Sequence, residues 1–208
     1  MLQTPTRALS RVEVAERMTA AEFFRRAPKD RKAELIRGVL MTYPLPSDTH
    51  ERLAGFLFTL LRMFAEEHNL GEVRGSHTAV KLADDQAPEP DVLFVAREHE
   101  HLITDQGVFG PPDLVIEILS ASTAANDRGP KFHAYEAAGV REVWLIDPDG
   151  PAGTEFYQRA GNAFKPVMPN AAGIIESIAL PGFKLRVAWL WPGEKFIAVR
   201  EALKEMNT

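Results

Sequence analysis

The sequence predicts a mixed α/β domain, and three features of the chain support this fold class. Residues 114–119 form a nearly continuous apolar run, LVIEIL, which is typical of a strand buried on both faces of a sheet. Apolar side chains recur at helical spacing through residues 53–64. A helical stretch that ends at Gly139 separates the first run from a second apolar strand at residues 143–148. These two strands are therefore expected to be parallel and joined by a right-handed crossover.

The composition restricts the kinds of site that the chain can hold. With 208 residues, 45% hydrophobic and 25% charged, the chain has the size and composition of one ordinary globular domain. It has no cysteine, which excludes disulfides, thiolate nucleophiles and thiolate metal ligands. A metal ion would have carboxylate, imidazole or carbonyl ligands, which favours magnesium or manganese. The net charge of −5 argues against a surface coated with nucleic acid but permits a local basic groove.

The domain boundaries follow from where the periodic patterns begin and end. Residues 1–17 are interpreted as a loose N-terminal leader, residues 18–200 as a single domain and residues 201–208 as a C-terminal tail. The N-terminus lacks the apolar core of a signal peptide, and no segment approaches the roughly 20 apolar residues of a membrane span. We therefore expect a soluble, cytoplasmic protein.

Start and stop signals place the individual elements. The capping-box spacing at Thr19 predicts a short helix, and the β-forming residues 34–43 predict a hairpin or a bulged strand pair. The long amphipathic helix is expected to begin near Asp48 and to end at residues 69–71. The other strands are predicted at residues 71–82, from Asp91 onward, and as antiparallel additions at 154–158, 164–168, 173–178 and 183–187.

Glu117 is the residue that the fold must accommodate, because it lies inside the first apolar run. A buried carboxylate persists only when it is protonated, paired with a cation or bound to a metal ion. Asp91 opens another short apolar strand, and Lys131 lies in the following helix, for which Asp127 is the expected N-cap. Asp127, Lys131 and Tyr135 stand four apart and share one helix face. The sequence therefore predicts that the two acids and the lysine converge.

Such a group of side chains suits phosphodiester chemistry. Carboxylates on adjacent strand ends, about 4.8 Å apart, can share a hard divalent cation whose other ligands are water and phosphate oxygens. The cation lowers the pKa of a bound water, and a neighbouring lysine can stabilise the attacking water or the developing oxyanion.

Two alternatives remain open. In one, the buried acid and the lysine form only a salt bridge; in the other, Ser120 or Ser122 is a nucleophile with His133, although the chain lacks the signature of a nucleophile elbow.

The remaining polar clusters are expected to have ordinary structural roles. His50 falls in the first turn of the long helix, where a surface or capping role is the usual one. His99 and His101 have the spacing of a metal pair on a strand but lie among charged residues, so we expect them to be solvated. A basic cluster near the N-terminus is typical of a solvated helix end; it comprises Arg25, Arg26, Lys29, Arg31 and Lys32.

Five short motifs carry a further, more specific signal. They are ELIRG at residues 34–38, PDVLFV at 90–95, PDLVIEILSAST at 112–123, Asp127 with Lys131 and Tyr135, and GVREVWLIDP at 139–148. Their combination resembles the Uma-type family of bacterial proteins, also catalogued as domain of unknown function 820, which belongs to the PD-(D/E)XK nuclease superfamily. The resemblance spans about residues 19–190.

The resemblance implies a restriction-endonuclease-like core, a mixed sheet flanked by helices with additional antiparallel strands. It implies that Asp91 and Glu117 are catalytic residues and metal ligands, and that Glu34 is similar to the upstream glutamate of some members. In the superfamily pattern the lysine stands two residues after the second acid, but Leu119 occupies that place here. The resemblance moves the lysine to the following helix as Lys131, which is expected to face a wet, metal-containing cleft.

The function expected from this resemblance is hydrolysis of phosphodiester bonds in DNA by a magnesium- or manganese-dependent endonuclease. The alternative is a noncatalytic module of the same fold that binds nucleic acid or a protein. DNA is the expected partner, no membrane is involved, and a homodimer is compatible with this assignment.

Overall fold

The computed structural model describes residues 17–206, so the predicted leader lies outside the described residues apart from Arg17. None of the described helices is long and apolar enough to cross a membrane. The helices of this part of the chain are α1 (Ala20–Arg26), α2 (Asp48–His68), α3 (Ala124–Asn126), α4 (Phe132–Ala138) and α5 (Val199–Met206).

A mixed six-stranded sheet lies at the centre of the domain. The strands of the described chain are β1 (Ala33–Ile36), β2 (Val39–Thr42), β3 (Gly71–Gly75), β4 (Val80–Lys81), β5 (Val92–Ala96), β6 (Ile103–Thr104), β7 (Gly107–Phe109), β8 (Leu114–Ile118), β9 (Glu142–Ile146), β10 (Glu155–Ala160), β11 (Ala163–Val167), β12 (Ile174–Glu176) and β13 (Lys184–Arg186). The central sheet has the order β11-β10-β9-β8-β5-β3. Its strands β8 and β9 are parallel and its other neighbours are antiparallel. The predicted parallel pair and the predicted mixed α/β fold class are confirmed.

The smaller strands form separate sheets at the edges of the domain. β1 and β2 are the predicted hairpin, and β12 pairs with β13. The single strand predicted at residues 71–82 is wrong, because a turn divides it into β3 and β4. His77 in that turn has a left-handed φ of 68°, which a strand cannot contain. β4 instead joins the three-stranded sheet β4-β7-β6.

Two helical layers cover the central sheet. Helix α2 begins as predicted, with the Ser47 side chain accepting from the His50 backbone, and it ends at Asn69 in the left-handed conformation. Its apolar stripe packs on one face of the sheet, against Ile116 and its neighbours. The opposite face of β8 carries Val115 and Leu119, which pack with Tyr135 of α4. Because side chains alternate along a strand, Glu117 also points towards the α4 layer.

The helical segment after β8 differs from its prediction. Asp127 is not an N-cap, because the segment already begins at α3; residues Asp127–Lys131 form a π-helical turn that leads into α4. Pro130 lies within this turn, and since proline has no backbone N–H it cannot make a regular helical bond there. π-helical turns are frequent at functional sites.

The C-terminal residues of the domain are helical as well. The tail predicted at residues 201–208 includes most of α5, whose Ala202, Leu203 and Met206 are buried in the same core cluster as the stripe of α2. The boundary predicted at residue 200 therefore falls inside a packed helix. A core helix of this kind is amphipathic but highly charged on its outer face, which explains why its sequence resembles a solvated tail.

Candidate functional site

The register of the central sheet brings the two predicted acids together. Val92 of β5 pairs with Ile116 of β8, so the preceding Asp91 lies across the strand pair from Glu117. The backbone N–H of Ile118 donates to Asp91 Oδ2 at 2.8 Å, which fixes this carboxylate at the strand end. The predicted convergence of Asp91 and Glu117 is therefore present in the fold.

Lys131 occupies the centre of a buried group of three carboxylates. Its ammonium lies 2.7 Å from Glu34 Oε1, 2.7 Å from Glu117 Oε1 and 3.0 Å from Asp127 Oδ1. Tyr135, one turn further along the helix, donates its hydroxyl to Glu117 Oε1 at 2.5 Å. We call these five residues, Glu34, Glu117, Asp127, Lys131 and Tyr135, the buried ion centre.

The position of Lys131 corrects one expectation from the sequence. Its side chain is only 2% exposed and does not line the neighbouring cleft, so it does not face a wet site. The salt bridge between Glu117 and Lys131 that the sequence left open is present, and Asp91 lies beside it rather than apart from it. The π-helical turn explains this position, because it sets Asp127, Lys131 and Tyr135 on the face that packs over β8.

Burial controls the protonation of the buried ion centre. Burial raises the pKa of Glu117 to about 8, and Lys131 opposes this only in part. Burial also disfavours the charged form of Lys131, but Glu117 and Glu34 outweigh it and raise the pKa of the lysine well above its ordinary value. For Glu34 the same lysine and Lys32 overcome burial and lower the pKa. The ammonium of Lys131 is therefore held by an ionised Glu34 on one side and Glu117 on the other.

Asp91 has a second set of partners on its open side. Lys32 Nζ lies 2.7 Å from Asp91 Oδ1, and His50 Nε2 lies 3.2 Å from Oδ2. Burial alone would raise the pKa of Asp91, but Lys32 and then His50 hold it well below its usual range. The aspartate is consequently ionised at neutral pH and carries two basic neighbours.

These side chains form one wall of a cleft of about 490 Å³. Asp91 is the one member of the predicted acid and lysine trio that reaches the cleft lining. The lining residues are mostly basic or hydroxyl-bearing: Arg31, Lys32, Tyr43, Ser47, His50, Ser76, His77, Ser120, Ser122 and Thr123, with Asp30, Glu51, Asp91 and the segment 44–46. Asp30 and Glu51 are each paired with a basic neighbour, Arg31 and His50 respectively. The cleft therefore presents hydrogen-bond donors around Asp91, and its acidic and basic side chains are paired with one another.

The structure does not support the serine nucleophile. Ser120 Oγ lies 3.0 Å from both Ser122 Oγ and Thr123 Oγ1, so the hydroxyls bond to one another. His133 is exposed on α4, and no hydrogen bond joins it to these serines within the described residues. The hydroxyl cluster is a polar wall of the cleft rather than a catalytic triad.

His99 and His101, which are expected to be solvated, have structural contacts instead. His99 Nδ1 lies 3.0 Å from the buried Asp113, whereas His101 bonds to a backbone carbonyl of its own helical turn. Both rings lie on the 3₁₀ turn Arg97–Leu102, and their centroids are 6.5 Å apart. They hold a loop and do not line the cleft around Asp91.

Lys32 and His50 are site residues for which the sequence favours an ordinary solvated or capping role. The hairpin brings Lys32 to the cleft, because residues 32 and 34 flank Ala33 and point to the same side of β1. Lys32 pairs with Asp91 while Glu34 pairs with Lys131. The alternation of side chains around the ELIRG motif indicates that Lys32 and Glu34 share one side of the strand. It does not indicate which strand of the central sheet the hairpin packs against.

The donor set around Asp91 is compatible with a hard divalent cation. Two carboxylates from adjacent strands would supply oxygen ligands, and magnesium ordinarily completes its shell with water and phosphate oxygens. Within residues 17–206, no group of three or more acidic or histidine side chains is arranged to hold a metal ion. A cation at this point would therefore depend on Asp91 and Glu117 and would compete with the lysines that hold them.

Glu89 is a further buried acid, two residues before Asp91. Its Oε2 has no hydrogen-bond partner among the described residues, and His77 Nδ1 is 3.9 Å away. Burial, and then the negative charge of Glu34, raise the pKa of Glu89 to about 7. At pH values between 4.5, the ordinary pKa of a glutamate, and about 7, Glu89 is protonated in the folded state but ionised in the unfolded state.

We expect Glu89→Gln to be more stable than the parent chain above neutral pH. The stability that protonated Glu89 gives to the fold is complete below its ordinary pKa and is lost as pH rises through about 7. Glutamine stays neutral, so the variant should gain up to about 3 kcal/mol relative to the parent at about pH 8 and little at about pH 4. Denaturant unfolding with a chelator present measures this difference; an equal difference at the two pH values would contradict the raised pKa.

Comparisons with known proteins identify the family and the fold. The sequence profile of the Uma2 family, described as a putative restriction endonuclease, matches residues 20–188. An uncharacterised protein of Synechocystis sp., sll1609, is 28% identical over 147 residues, which are 70% of this chain and 82% of that protein.

The crystal structure of a putative nuclease of the domain of unknown function 820 family, from Anabaena variabilis, has a TM-score of 0.65 at 14% identity. That likeness covers 91% of this chain and 99% of the solved one, and at this identity it supports the fold alone. Because the profile match covers most of the sequence, the chain belongs to the Uma2 family of restriction-endonuclease-like proteins.

Proposed function

We propose that this protein is a magnesium-dependent DNA endonuclease that hydrolyses phosphodiester bonds in the cleft beside Asp91. The observation that carries the proposal is the position of Asp91: across the strand pair from Glu117 and on the wall of a cleft lined by basic and hydroxyl side chains. Asp91 is ionised and lines the cleft, so of the two acids it is the one that a ligand in the cleft can reach. The family description and the nuclease fold of the Anabaena protein support the same reaction class.

Each site residue has a distinct part in this proposal. Asp91 and Glu117 would hold the magnesium ion, or manganese in its place, and the bound ion would supply a water of lowered pKa and charge stabilisation at phosphorus. Lys131 is buried behind Glu117, so its part is to hold Glu117 and Glu34 in position rather than to touch the substrate. Glu34 supports the lysine and accepts the backbone N–H of Glu89, which ties the hairpin to the strand that carries Asp91.

A noncatalytic interaction module is the second candidate, and one observation favours it. Each acid already has a lysine partner, Asp91 with Lys32 and Glu117 with Lys131, so neither needs a metal ion as its cationic partner. The experiment that separates the candidates is an assay of duplex, branched and single-stranded DNA with the parent chain in magnesium or manganese. Metal-dependent cleavage supports the endonuclease, whereas DNA binding without cleavage supports the module.

We expect DNA binding to be weak and strongly dependent on salt and metal. The chain carries a net charge of −5, and several candidate contacts are paired with acids on the surface, such as Arg74 with Glu72 and Arg128 with Glu155. With about three to five phosphates neutralised, the logarithm of affinity should fall with the logarithm of salt at roughly 0.9 per contact. The candidate basic residues for these phosphate contacts are Arg25, Arg26, Arg31, Lys32, Arg74, Lys81 and Arg128.

Filter binding by the Glu117→Gln variant in calcium, which would keep the DNA uncleaved, measures this slope. No detectable binding to any form of DNA at low salt would contradict the proposal and favour a protein partner.

A further inference from the structure

Of the two lysines beside the acids, Lys32 faces the cleft and Lys131 does not. The Lys32 side chain is 21% exposed and lines the cleft, while its ammonium lies 2.7 Å from Asp91 Oδ1. Lys131 has three buried carboxylate partners and does not line the cleft. Among the described residues, Lys32 has one anionic hydrogen-bond partner, Asp91. The two lysines therefore differ in how readily they can exchange partners.

The two oxygens of Asp91 are held in different ways. Oδ2 accepts the backbone N–H of Ile118, a contact that the sheet fixes, and also faces His50. Among the described residues, Oδ1 is held by the Lys32 side chain alone. A divalent cation at Asp91 would repel the ammonium and take over its role of neutralising the carboxylate. Lys32 would then lose its partner on a side of the molecule that opens into the cleft.

We propose that Lys32 is an exchangeable counter-ion of Asp91, which a divalent cation displaces and which then binds a phosphate of the substrate in the cleft. The proposal rests on the proposed function and names the residue that couples metal binding to phosphate binding. The displaced ammonium has three rotatable donors on a four-carbon stem, which suits a phosphate. The hydroxyls of Ser120 and Ser122 line the same cleft and supply further donors to such an anion.

The exchange predicts effects of opposite sign on two ligands when Lys32 is replaced. Lys32→Met removes the competitor for Asp91, so calcium, used as the metal probe, should bind about tenfold more tightly in calorimetry. With calcium saturating, the same variant should bind duplex DNA about tenfold more weakly, and its salt slope should be smaller by about 0.9 because one phosphate contact is lost. A residue that only supports the fold would weaken both ligands together.

Three further variants control the measurement. Lys32→Arg keeps the charge and should restore most of the DNA affinity and the parental calcium affinity. Lys32→Gln keeps a hydrogen-bond donor for Asp91 without the charge, and it should follow Lys32→Met if that variant folds poorly. Lys204→Met removes a lysine that pairs with Glu201 on α5, outside the cleft lining, and should change neither ligand. Circular dichroism checks that each variant is folded.

The outcomes separate this proposal from the proposed function. Unchanged or weaker calcium binding by folded Lys32→Met or Lys32→Gln would overturn the exchange, and so would unchanged DNA affinity and salt slope. A parent chain that binds no calcium would overturn it as well. If the opposite shifts occur but the parent cleaves no DNA in magnesium or manganese, the counter-ion exchange stands and the endonuclease assignment fails.

Discussion

Replacing Lys131 by methionine is expected to lower the free energy of unfolding by about 3–5 kcal/mol. Methionine fills much of the same volume, but it leaves Glu34, Glu117 and Asp127 buried without their shared cation. Stranded buried charges are among the most destabilising changes that a single substitution makes. For a domain of this size the melting temperature should fall by about 6–20 °C, which thermal denaturation measures directly.

Two comparisons test whether the stranded charge is the cause. Lys204→Met removes an exposed lysine and should change stability by no more than about 0.5 kcal/mol. Adding Glu34→Gln to the Lys131→Met chain removes one of the uncompensated carboxylates and should restore part of the lost stability. An unchanged melting temperature for Lys131→Met would contradict the buried ion centre. It would also return Lys131 to the cleft-facing role that the sequence predicts.

The largest expected effect on activity comes from the two acids that face each other across β5 and β8. Asp91→Asn and Glu117→Gln should each reduce magnesium-dependent DNA cleavage by about 10³-fold or more, because each removes an anionic metal ligand. Both replacements keep the shape of the side chain. Asparagine at position 91 can still accept the Ile118 N–H, and glutamine at position 117 can still accept the Tyr135 hydroxyl. The comparison of initial cleavage rates at equal protein concentration measures the loss.

Glu142 provides a matched control for Glu117. It is also a fully buried glutamate in the central sheet, on β9, where its carboxylate accepts from Trp144, Ser177 and the backbone of Ile178 and Ala179. Glu142→Gln should lower stability but leave the cleavage rate of the folded chain unchanged. Equal loss of cleavage in Glu142→Gln and Glu117→Gln would show that the effect comes from damage to the sheet rather than from the site.

The parts of the site that the sequence could predict are those set by local pattern. Glu117 stands out because one charge interrupts an apolar run, and the spacing of Asp127, Lys131 and Tyr135 places them on one helix face. The adjacency of Asp91 and Glu117 follows from strands that are neighbours in the sheet, and the structure confirms it. These features depend on the side-chain period of a strand, two residues, and of a helix, about four residues, and both periods are visible in a single sequence.

The parts that the sequence could not predict depend on tertiary packing. The depth of Lys131 is set by the π-helical turn at Asp127–Lys131, and an ordinary helical pattern gives no sign of that turn. The pairing of Lys32 with Asp91 depends on where the β1–β2 hairpin docks, which contacts such as Leu35 with Ala87 determine. A basic cluster near a helix end is usually solvated, so nothing in the sequence distinguishes Lys32 from the other basic residues of its cluster.

The hairpin that carries Lys32 and Glu34 has a further consequence, for the order in which the chain folds. The contact between Glu34 and Lys131 spans 97 residues, and that between Lys32 and Asp91 spans 59. Contacts of such long sequence separation close large loops, so we expect the hairpin to dock after the sheet that receives it has formed. Interactions completed after the transition state act on the unfolding rate rather than on the folding rate. We therefore expect the charges at the site to slow the opening of the native state and to contribute little to the rate of folding.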